Sequence, residues 1–196
     1  MALLSIEERK RILKDEGLDY TKAGIKTFQK RYMMRKSDVD GIWGPDTDNT
    51  ARTVDNVRRY TKNFRPEEFR CECGGRYCCG YPDYMKAQEL KNIQAIRDHW
   101  KRPVIVTCGL RCSRRNAELG GSIQNSKHKY GMAIDFYQKG VTDTLANRKR
   151  SIRWIRKLPG HSYTYGNGIA VLTNGRTRTY NVYAPYMGNA LHTDTK

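Results

Sequence analysis

The chain has 196 residues and an ordinary apolar content, so it is long enough for one well-cored domain and a smaller accessory one. No apolar run approaches the roughly 20 residues of a membrane-spanning helix, and we expect no stable membrane insertion. The formal net charge of +17 leaves two partner classes open, nucleic acid and an anionic cell envelope. Because no nucleic-acid-binding motif accompanies the dispersed basic residues, nucleic acid is not expected as a partner.

The chain starts with MALLSIEERKRILKDEG, in which a short apolar run is followed by alternating charges. This pattern predicts an amphipathic helix rather than a secretory signal peptide. We therefore expect synthesis in a cytoplasm, with any extracellular target reached by another route.

Residues 6–60 are predicted to form helices joined by one distinctive loop. Apolar residues recur at helical spacing at Ala23, Ile25, Phe28 and Tyr32. In the loop DVDGIWGPDTDNTA, Ile42 and Trp43 are expected to pin the turn to the helices, and Asp46 or Thr47 to cap the helix that follows.

A polar and cysteine-rich boundary at residues 61–80 precedes a mixed pattern. It predicts a helix over residues 84–100, strands at RPVIVTCG and GMAIDFY, a helix over residues 148–158, and the hairpin IAVLTNGRTRTYNVY turning at Asn174-Gly175. Because these elements do not alternate as βαβ units, they predict an α+β fold, with a helical domain over residues 1–62 and a domain with a small antiparallel sheet flanked by helices over residues 63–196.

The segment SKHKYGMAIDF contains the first candidate metal ligands. His128 and Asp135 lie seven positions apart, and Gly131, Ala133 and Asp135 are expected to share one strand face. Small residues there would leave room beside a metal, for which imidazole and carboxylate are normal ligands. Taken alone, such a pair is more often a surface feature.

The C-terminal segment ALHTDTK supplies a third candidate. His192 and Asp194 are two positions apart and would face the same side of an extended segment. His128, Asp135 and His192 then form a three-ligand set with a fourth position open to water, which is typical of a catalytic zinc site. Asp194 would take a proton from the water and pass it to the leaving amine.

This pattern resembles the zinc D-Ala-D-Ala carboxypeptidase and L-alanyl-D-glutamate endopeptidase family, whose fold is shared by Hedgehog signalling domains. The resemblance spans residues 64–196 and rests on the segments EFRCEC and TCGLRCSRRNAELGG and on the motif Ser126-x-His128-x-x-Gly131-x-Ala133-x-Asp135 with His192-x-Asp194. It implies zinc ligands at His128, Asp135 and His192.

The resemblance also implies roles beside the metal. Arg111 would contact substrate or stabilise the developing oxyanion. Ser126 would support the first ligand, His128, and contribute to substrate binding. Several branches of the family place the catalytic carboxylate where this chain has Asn189, whose amide is no base. Asp194 is then the best candidate for the base, and its alternative role is to orient His192.

The N-terminal segment resembles the peptidoglycan-binding module of wall hydrolases. Phe28-Gln29 and the later run Asp40-Gly41-Ile42-Trp43-Gly44-Pro45-Asp46-Thr47 match its hallmarks in order. The resemblance implies a small three-helix bundle that anchors the protein to the wall.

Both resemblances imply a monomeric, zinc-dependent peptidoglycan peptidase of the phage endolysin type, made in a bacterial host and acting on the wall after release. Two alternatives stay open. One is a carboxypeptidase that trims terminal D-Ala, and the other is a wall-binding protein with weak or lost activity.

The six cysteines are not explained by this function. Cys71, Cys73, Cys78 and Cys79 cluster in sequence, and Cys108 and Cys112 follow. A second, structural zinc, disulfides formed after export, and free buried thiols are all compatible with this spacing.

Overall fold

The computed structural model describes residues 2–119, 123–174 and 176–196. In these residues six helices and one six-stranded antiparallel sheet form an α+β fold, which confirms the predicted class. The helices are α1 (Ile6–Asp15), α2 (Lys22–Tyr32), α3 (Pro45–Tyr60), α4 (Ala87–Trp100), α5 (Ser113–Glu118) and α6 (Leu145–Ile155). The strands are β1 (Ile105–Cys108), β2 (Ala133–Tyr137), β3 (His161–Gly166), β4 (Ile169–Asn174), β5 (Arg176–Tyr180) and β6 (Leu191–Thr195).

The first three helices form the predicted N-terminal bundle. Leu13 of α1, Phe28 of α2 and Val54 of α3 are fully buried at its centre. The prediction that Asp46 or Thr47 caps α3 is wrong, because Gly44 occupies the N-cap and Pro45 the first helical position. Proline suits that position since its missing N–H would have no partner inside the helix.

Gln29 holds the loop between α2 and α3. Its amide nitrogen, which carries two N–H groups, lies within 3.0 Å of three acceptors: Asp40 Oδ1, the Ile42 carbonyl and Thr47 Oγ1. Its amide oxygen accepts from the backbone N–H of Gly41 at 2.8 Å. The glutamine and the Asp-Gly-x-x-Gly-Pro-x-Thr run are therefore coupled by hydrogen bonds that shape the loop.

The two apolar residues of this loop have different environments. Trp43 is buried and its indole N–H donates to Asp48 at 2.9 Å, as a residue pinning the loop would. Ile42 was expected to do the same, but its side chain is 63% exposed. The turn at Asp40-Gly41 directs Trp43 inward and leaves Ile42 at the tip.

The bundle and the sheet domain pack on one continuous apolar core. Helix α3 packs against α4. Two hydrogen bonds link α3 to Met85, just before α4: Met85 N–H donates to Thr53 Oγ1 at 3.1 Å, and Asn56 Nδ2 donates to the Met85 carbonyl at 2.9 Å. The predicted boundary at residue 62 falls near the start of the long connection, residues 61–86, between these helices, where Lys62 N–H donates to Gln94 Oε1.

The strand order in the sheet is β1-β2-β6-β3-β4-β5. Strand β6, which follows all the others in the chain, therefore lies in the interior between β2 and β3. The predicted hairpin is present as β4 and β5, although Gly175 of its turn lies outside the described residues. Helix α6 begins and ends three residues earlier than expected, because Thr144 caps it through the Asn147 N–H.

None of the helices in the described ranges combines the length and the apolar character needed to span a bilayer.

We expect the Gln29→Ala substitution to lower the free energy of unfolding by about 2 kcal/mol, because it leaves buried loop groups without partners. Denaturant unfolding would measure this loss. Gln88→Ala removes one partly exposed bond within α4 and serves as the control, with a change of a few tenths of a kcal/mol. Equal stability of the two variants would contradict the role given to Gln29.

Candidate metal centre

Strand pairing assembles a row of reactive side chains across one face of the sheet. Asp135 on β2 lies opposite His192 on β6 and opposite Cys108 on β1, while Tyr165 on β3 lies opposite His192. Residues directly opposite in antiparallel strands point to the same face. Four strands thus each contribute one side chain to the row.

Two side chains of this row, Asp135 and His192, converge with His128, which precedes β2, so that three possible metal-ligand atoms lie close together. His192 Nδ1 lies 2.7 Å from Asp135 Oδ1 and 3.2 Å from His128 Nε2, and His128 Nε2 lies 3.3 Å from Asp135 Oδ1. The structure therefore brings together the three residues that the sequence predicted as ligands.

His128 reaches this point from the 3-10 turn Lys127–Tyr130, which Gly131 ends in a left-handed conformation with φ +64°. Gly131 was expected on the strand face beside the metal, but β2 begins at Ala133. A Cβ at Gly131 would lie 2.0 Å from the Tyr84 carbonyl oxygen. Glycine is therefore required by backbone conformation and close packing.

The second ring nitrogen of His128 contacts the backbone. His128 Nδ1 lies 2.7 Å from the Gly109 carbonyl, to which it donates when the ring is neutral. That bond fixes the tautomer in which Nε2 keeps its lone pair toward Asp135 and His192, as metal-binding histidines require.

Asp194 lies on the opposite edge of the His192 ring. Its Oδ2 is 3.3 Å from His192 Nε2, whereas His192 Nδ1 faces Asp135. The other oxygen, Oδ1, is buried and has no hydrogen-bond partner among the described residues. Asp194 therefore contacts His192 through Oδ2, and the residue forms part of the cavity lining.

Arg111 approaches the second oxygen of Asp135. Its Nη2 lies 3.7 Å from Asp135 Oδ2 and donates to Cys108 Sγ at 3.1 Å. Its backbone N–H donates to the His128 carbonyl at 3.1 Å, so the arginine is fixed to the turn that carries this histidine. The side chain is buried beside the histidines and the carboxylate and lines the cavity, and its substrate or oxyanion role stays a prediction.

Cys108 offers another grouping, because a sulfur, a ring nitrogen of His128 and an Asp135 oxygen lie within 4.8 Å of one another. Cys108 Sγ is 3.6 Å from His128 Nδ1, the nitrogen already bonded to the Gly109 carbonyl. The set of Asp135 with the two histidines is therefore the better ligand set, since its three atoms are free of other backbone bonds.

These groups line one cavity of about 750 Å³. Ser126, buried at the N-cap of the His128 turn, contributes to its wall, and its side chain makes no capping hydrogen bond there. Tyr163, Tyr165 and Tyr186 form an aromatic wall on the β3 side. Asn189, in contrast, is exposed.

Comparison with protein-family models finds one match, to the family described as peptidase M15, over residues 62–178. The matched segment is more than half of the chain. The chain belongs to the peptidase M15 family. No curated protein matched the chain.

The M15 match includes His128 and Asp135 and ends before β6, so His192 and Asp194 are placed by the sheet pairing described above. Family membership makes the protein a metallopeptidase, and the candidate metal-binding groups of the structure agree with this class.

The charges of this M15 peptidase site are strongly coupled. Burial lowers the pKa of His128, but the Asp135 carboxylate outweighs it and raises that pKa to about 9. Burial also opposes the charge on His192, whose hydrogen bond to Asp135 raises its pKa to about 9. The two imidazoles hold the pKa of buried Asp135 well below its usual range. The carboxylate thus stays ionised and favours a cation beside it.

A buried carboxyl lies behind this site. Glu89 of α4 is fully buried, and neither of its side-chain oxygens has a hydrogen-bond partner within the described ranges. Burial and the negative charge of Asp194 raise the pKa of Glu89 well above its usual value.

The remaining histidines lie elsewhere in the M15 peptidase. His161 is buried between the hydroxyls of Thr164 and Thr173, and burial lowers its pKa to about 4. His99 stacks on Trp154 with ring centroids 4.1 Å apart. Neither residue was predicted to have a role in the site.

Several lining residues were not identified from sequence. Tyr163 and Tyr165 alternate along β3 and lie opposite Asp194 and His192. Their period-two spacing was the available signal, but only the pairing of β3 with β6 connects it to the metal ligands.

Proposed function

We propose that this M15 peptidase is a zinc enzyme that hydrolyses an amide bond in the stem peptide of bacterial peptidoglycan. The observation that carries the proposal is the convergence of His128 Nε2, Asp135 Oδ1 and His192 Nδ1 within 3.3 Å of one another in a cavity. We infer that these three atoms hold the zinc.

The donor set fits zinc in number and in chemistry. Two imidazoles and one carboxylate with a further open position are the pattern of catalytic zinc sites. Ligand atoms about 2.1 Å from a tetrahedral zinc lie about 3.4 Å apart, close to the separations of the three atoms here. When bound, zinc supplies Lewis-acid chemistry that polarises a carbonyl and acidifies water.

The surrounding residues fix the histidines for this task. The Gly109 carbonyl holds the His128 ring through Nδ1. Asp194 accepts from His192 Nε2, which leaves Nδ1 as the ligand atom. This contact favours the orienting role of Asp194 over the proton-transfer role that the sequence placed first. Proton transfer stays a testable alternative, because Asp194 is among the residues that line the cavity.

Arg111 is the positively charged group suited to an oxygen of the substrate. Burial opposes its charge, but Cys108 and Asp135 together raise the pKa of Arg111, so the guanidinium is always protonated. Its Nε has no partner among the described residues. A developing oxyanion or a free substrate carboxylate would provide one.

The substrate class is supported by features outside the cavity. We propose that residues 1–62 bind the wall, because the motif of the peptidoglycan-binding module forms the structured loop held by Gln29. The exposed apolar side chain of Ile42 at the tip of this loop is a ready contact. The net charge of +17 favours an anionic wall over long distances.

Within this substrate class we propose cleavage inside the stem peptide, as in an endolysin. Mass spectrometry of purified peptidoglycan fragments after digestion would identify the bond. Shortened stems with paired internal fragments would support endopeptidase action, and release of only terminal D-Ala would instead make the protein a carboxypeptidase.

His192→Ala should remove the catalytic zinc and abolish hydrolysis of purified peptidoglycan, because a ligand from the central strand is lost. Zinc content and fragment release would be measured on the same preparation. His99→Ala, an exposed histidine away from the cavity, is the control and should keep both. Unchanged zinc content and turnover in His192→Ala would exclude this metal site.

Asp194→Asn keeps the side-chain shape but removes the negative charge. If Asp194 only orients His192, zinc affinity should fall roughly tenfold to a hundredfold, with the remaining loaded enzyme still active. If it transfers the proton, turnover should fall about a hundredfold to ten-thousandfold with zinc retained. Titration with zinc and turnover at saturating zinc separate the roles, and a variant normal in both would have neither.

Ile42→Ser should weaken binding to purified cell walls about tenfold, corresponding to about 1.4 kcal/mol of lost apolar contact. Cleavage of small soluble stem peptides should not change, because the loop is remote from the cavity. Ile6→Ser, at an isoleucine that is 51% exposed at the start of α1, is the matched control. Wall pull-down of the same fraction of both variants would argue against Ile42 as a wall contact.

A further inference from the structure

Four of the six cysteines converge outside the catalytic cavity. The sulfurs of Cys71, Cys73, Cys78 and Cys112 all lie within 4.8 Å of one another, and all four residues are buried. Cys73 and Cys78, the closest pair described, have their sulfurs 3.5 Å apart. The six cysteines are free thiols.

Sequence-distant segments are brought together by this cluster. Cys71 follows the short 3-10 turn Pro66–Phe69, and Cys112 is the N-cap of α5. Between Cys73 and Cys78 the chain reverses at Gly74 and Gly75, which both have positive φ. This reversal points the two thiols at the same place.

The arrangement fits a single tetrahedral metal. Sulfurs bound to one zinc at about 2.3 Å lie about 3.8 Å apart, which matches a cluster whose four members are all mutually close. Two disulfides would draw sulfurs together in separate pairs at about 2.05 Å and would not need all four around one point.

The backbone and nearby cations suit sulfurs that are negatively charged. The Cys112 N–H donates to Cys71 Sγ at 3.3 Å, and the Arg115 N–H donates to Cys112 Sγ at 3.4 Å. Tyr77 packs on the cluster, and the guanidinium groups of Arg76 and Arg114 lie over its ring. Such donors and cations offset the charge of a four-thiolate metal site.

The other two cysteines have different surroundings. Cys79 points away from its neighbour Cys78, and its sulfur contacts the backbone of Tyr81. Cys108 lies in the catalytic cavity. The structure thus separates the four cysteines whose sulfurs cluster from two that lie outside this cluster.

We propose that Cys71, Cys73, Cys78 and Cys112 bind a second, structural zinc ion. This zinc joins the loop of residues 71–78 to the start of α5, directly after Arg111. Because Leu110 N–H also donates to the Phe69 carbonyl at 2.9 Å, the metal and the backbone bond together fix the segment that presents Arg111 to the cavity.

Metal analysis of protein purified under reducing conditions tests the proposal. We expect two zinc ions per wild-type chain, one in His192→Ala, one in Cys78→Ser and none in the double variant. Cys79→Ser changes the adjacent buried cysteine and should keep two. Since His192→Ala and Cys78→Ser remove different ions, failure of the catalytic site and failure of the cysteine site give different patterns.

Cobalt substitution of the His192→Ala protein gives a readout that does not depend on Cys78→Ser folding. Four thiolate ligands should produce strong sulfur-to-cobalt absorption in the near ultraviolet, which a mercurial thiol reagent should abolish as it releases the metal. Absence of this absorption, iron in place of zinc, or a mass showing disulfides among these cysteines would overturn the proposal.

Discussion

The pairing of β2 with β6 is the constraint on which the site depends. It sets Asp135 opposite His192 across 57 residues of sequence separation, and the same register sets Ala133 opposite Asp194. A slip of one residue would turn His192 to the other face of the sheet, because side chains alternate along a strand. Strands β1 and β3 flank this pair, and their register adds Cys108 and Tyr165 to the same row of side chains. The site therefore depends on the register of the strands, which brings its side chains to the same face of the sheet.

Much of the site was predictable from sequence because its residues follow local periodicities. The spacing of His192 and Asp194 predicts a shared strand face, and the α+β class follows from elements that do not alternate. Gly131 was misplaced because period-two counting cannot detect that a strand begins two residues later, after a left-handed turn. The cysteine cluster and the tyrosine wall depend on tertiary contacts, so the spacing of these residues in the sequence does not show which of them meet. Ile42 and Trp43 look alike in sequence, and only the loop geometry separates them.

Asp135 has a basic side chain beside each of its two carboxylate oxygens. One oxygen faces both histidines, and the other faces Arg111. Burial of an unpaired carboxylate would be costly, so these cations are what allow it to stay ionised there. The same sharing limits substitution, because loss of any partner leaves the carboxylate less well compensated. Removing Asp135 itself would leave the guanidinium and two imidazoles facing one another without an anion between them.

The position of β6 in the sheet has a consequence for how the protein acquires activity during synthesis. Its two neighbours, β2 and β3, leave the ribosome first, yet neither can complete its ladder until β6 arrives between them. Until β6 is translated, β2 and β3 each have one edge that β6 has not yet paired with, and the nascent chain lacks His192. A ribosome that stops before residue 191 releases a chain without its central strand. The row of metal-binding side chains is thus completed only after β6 has been translated.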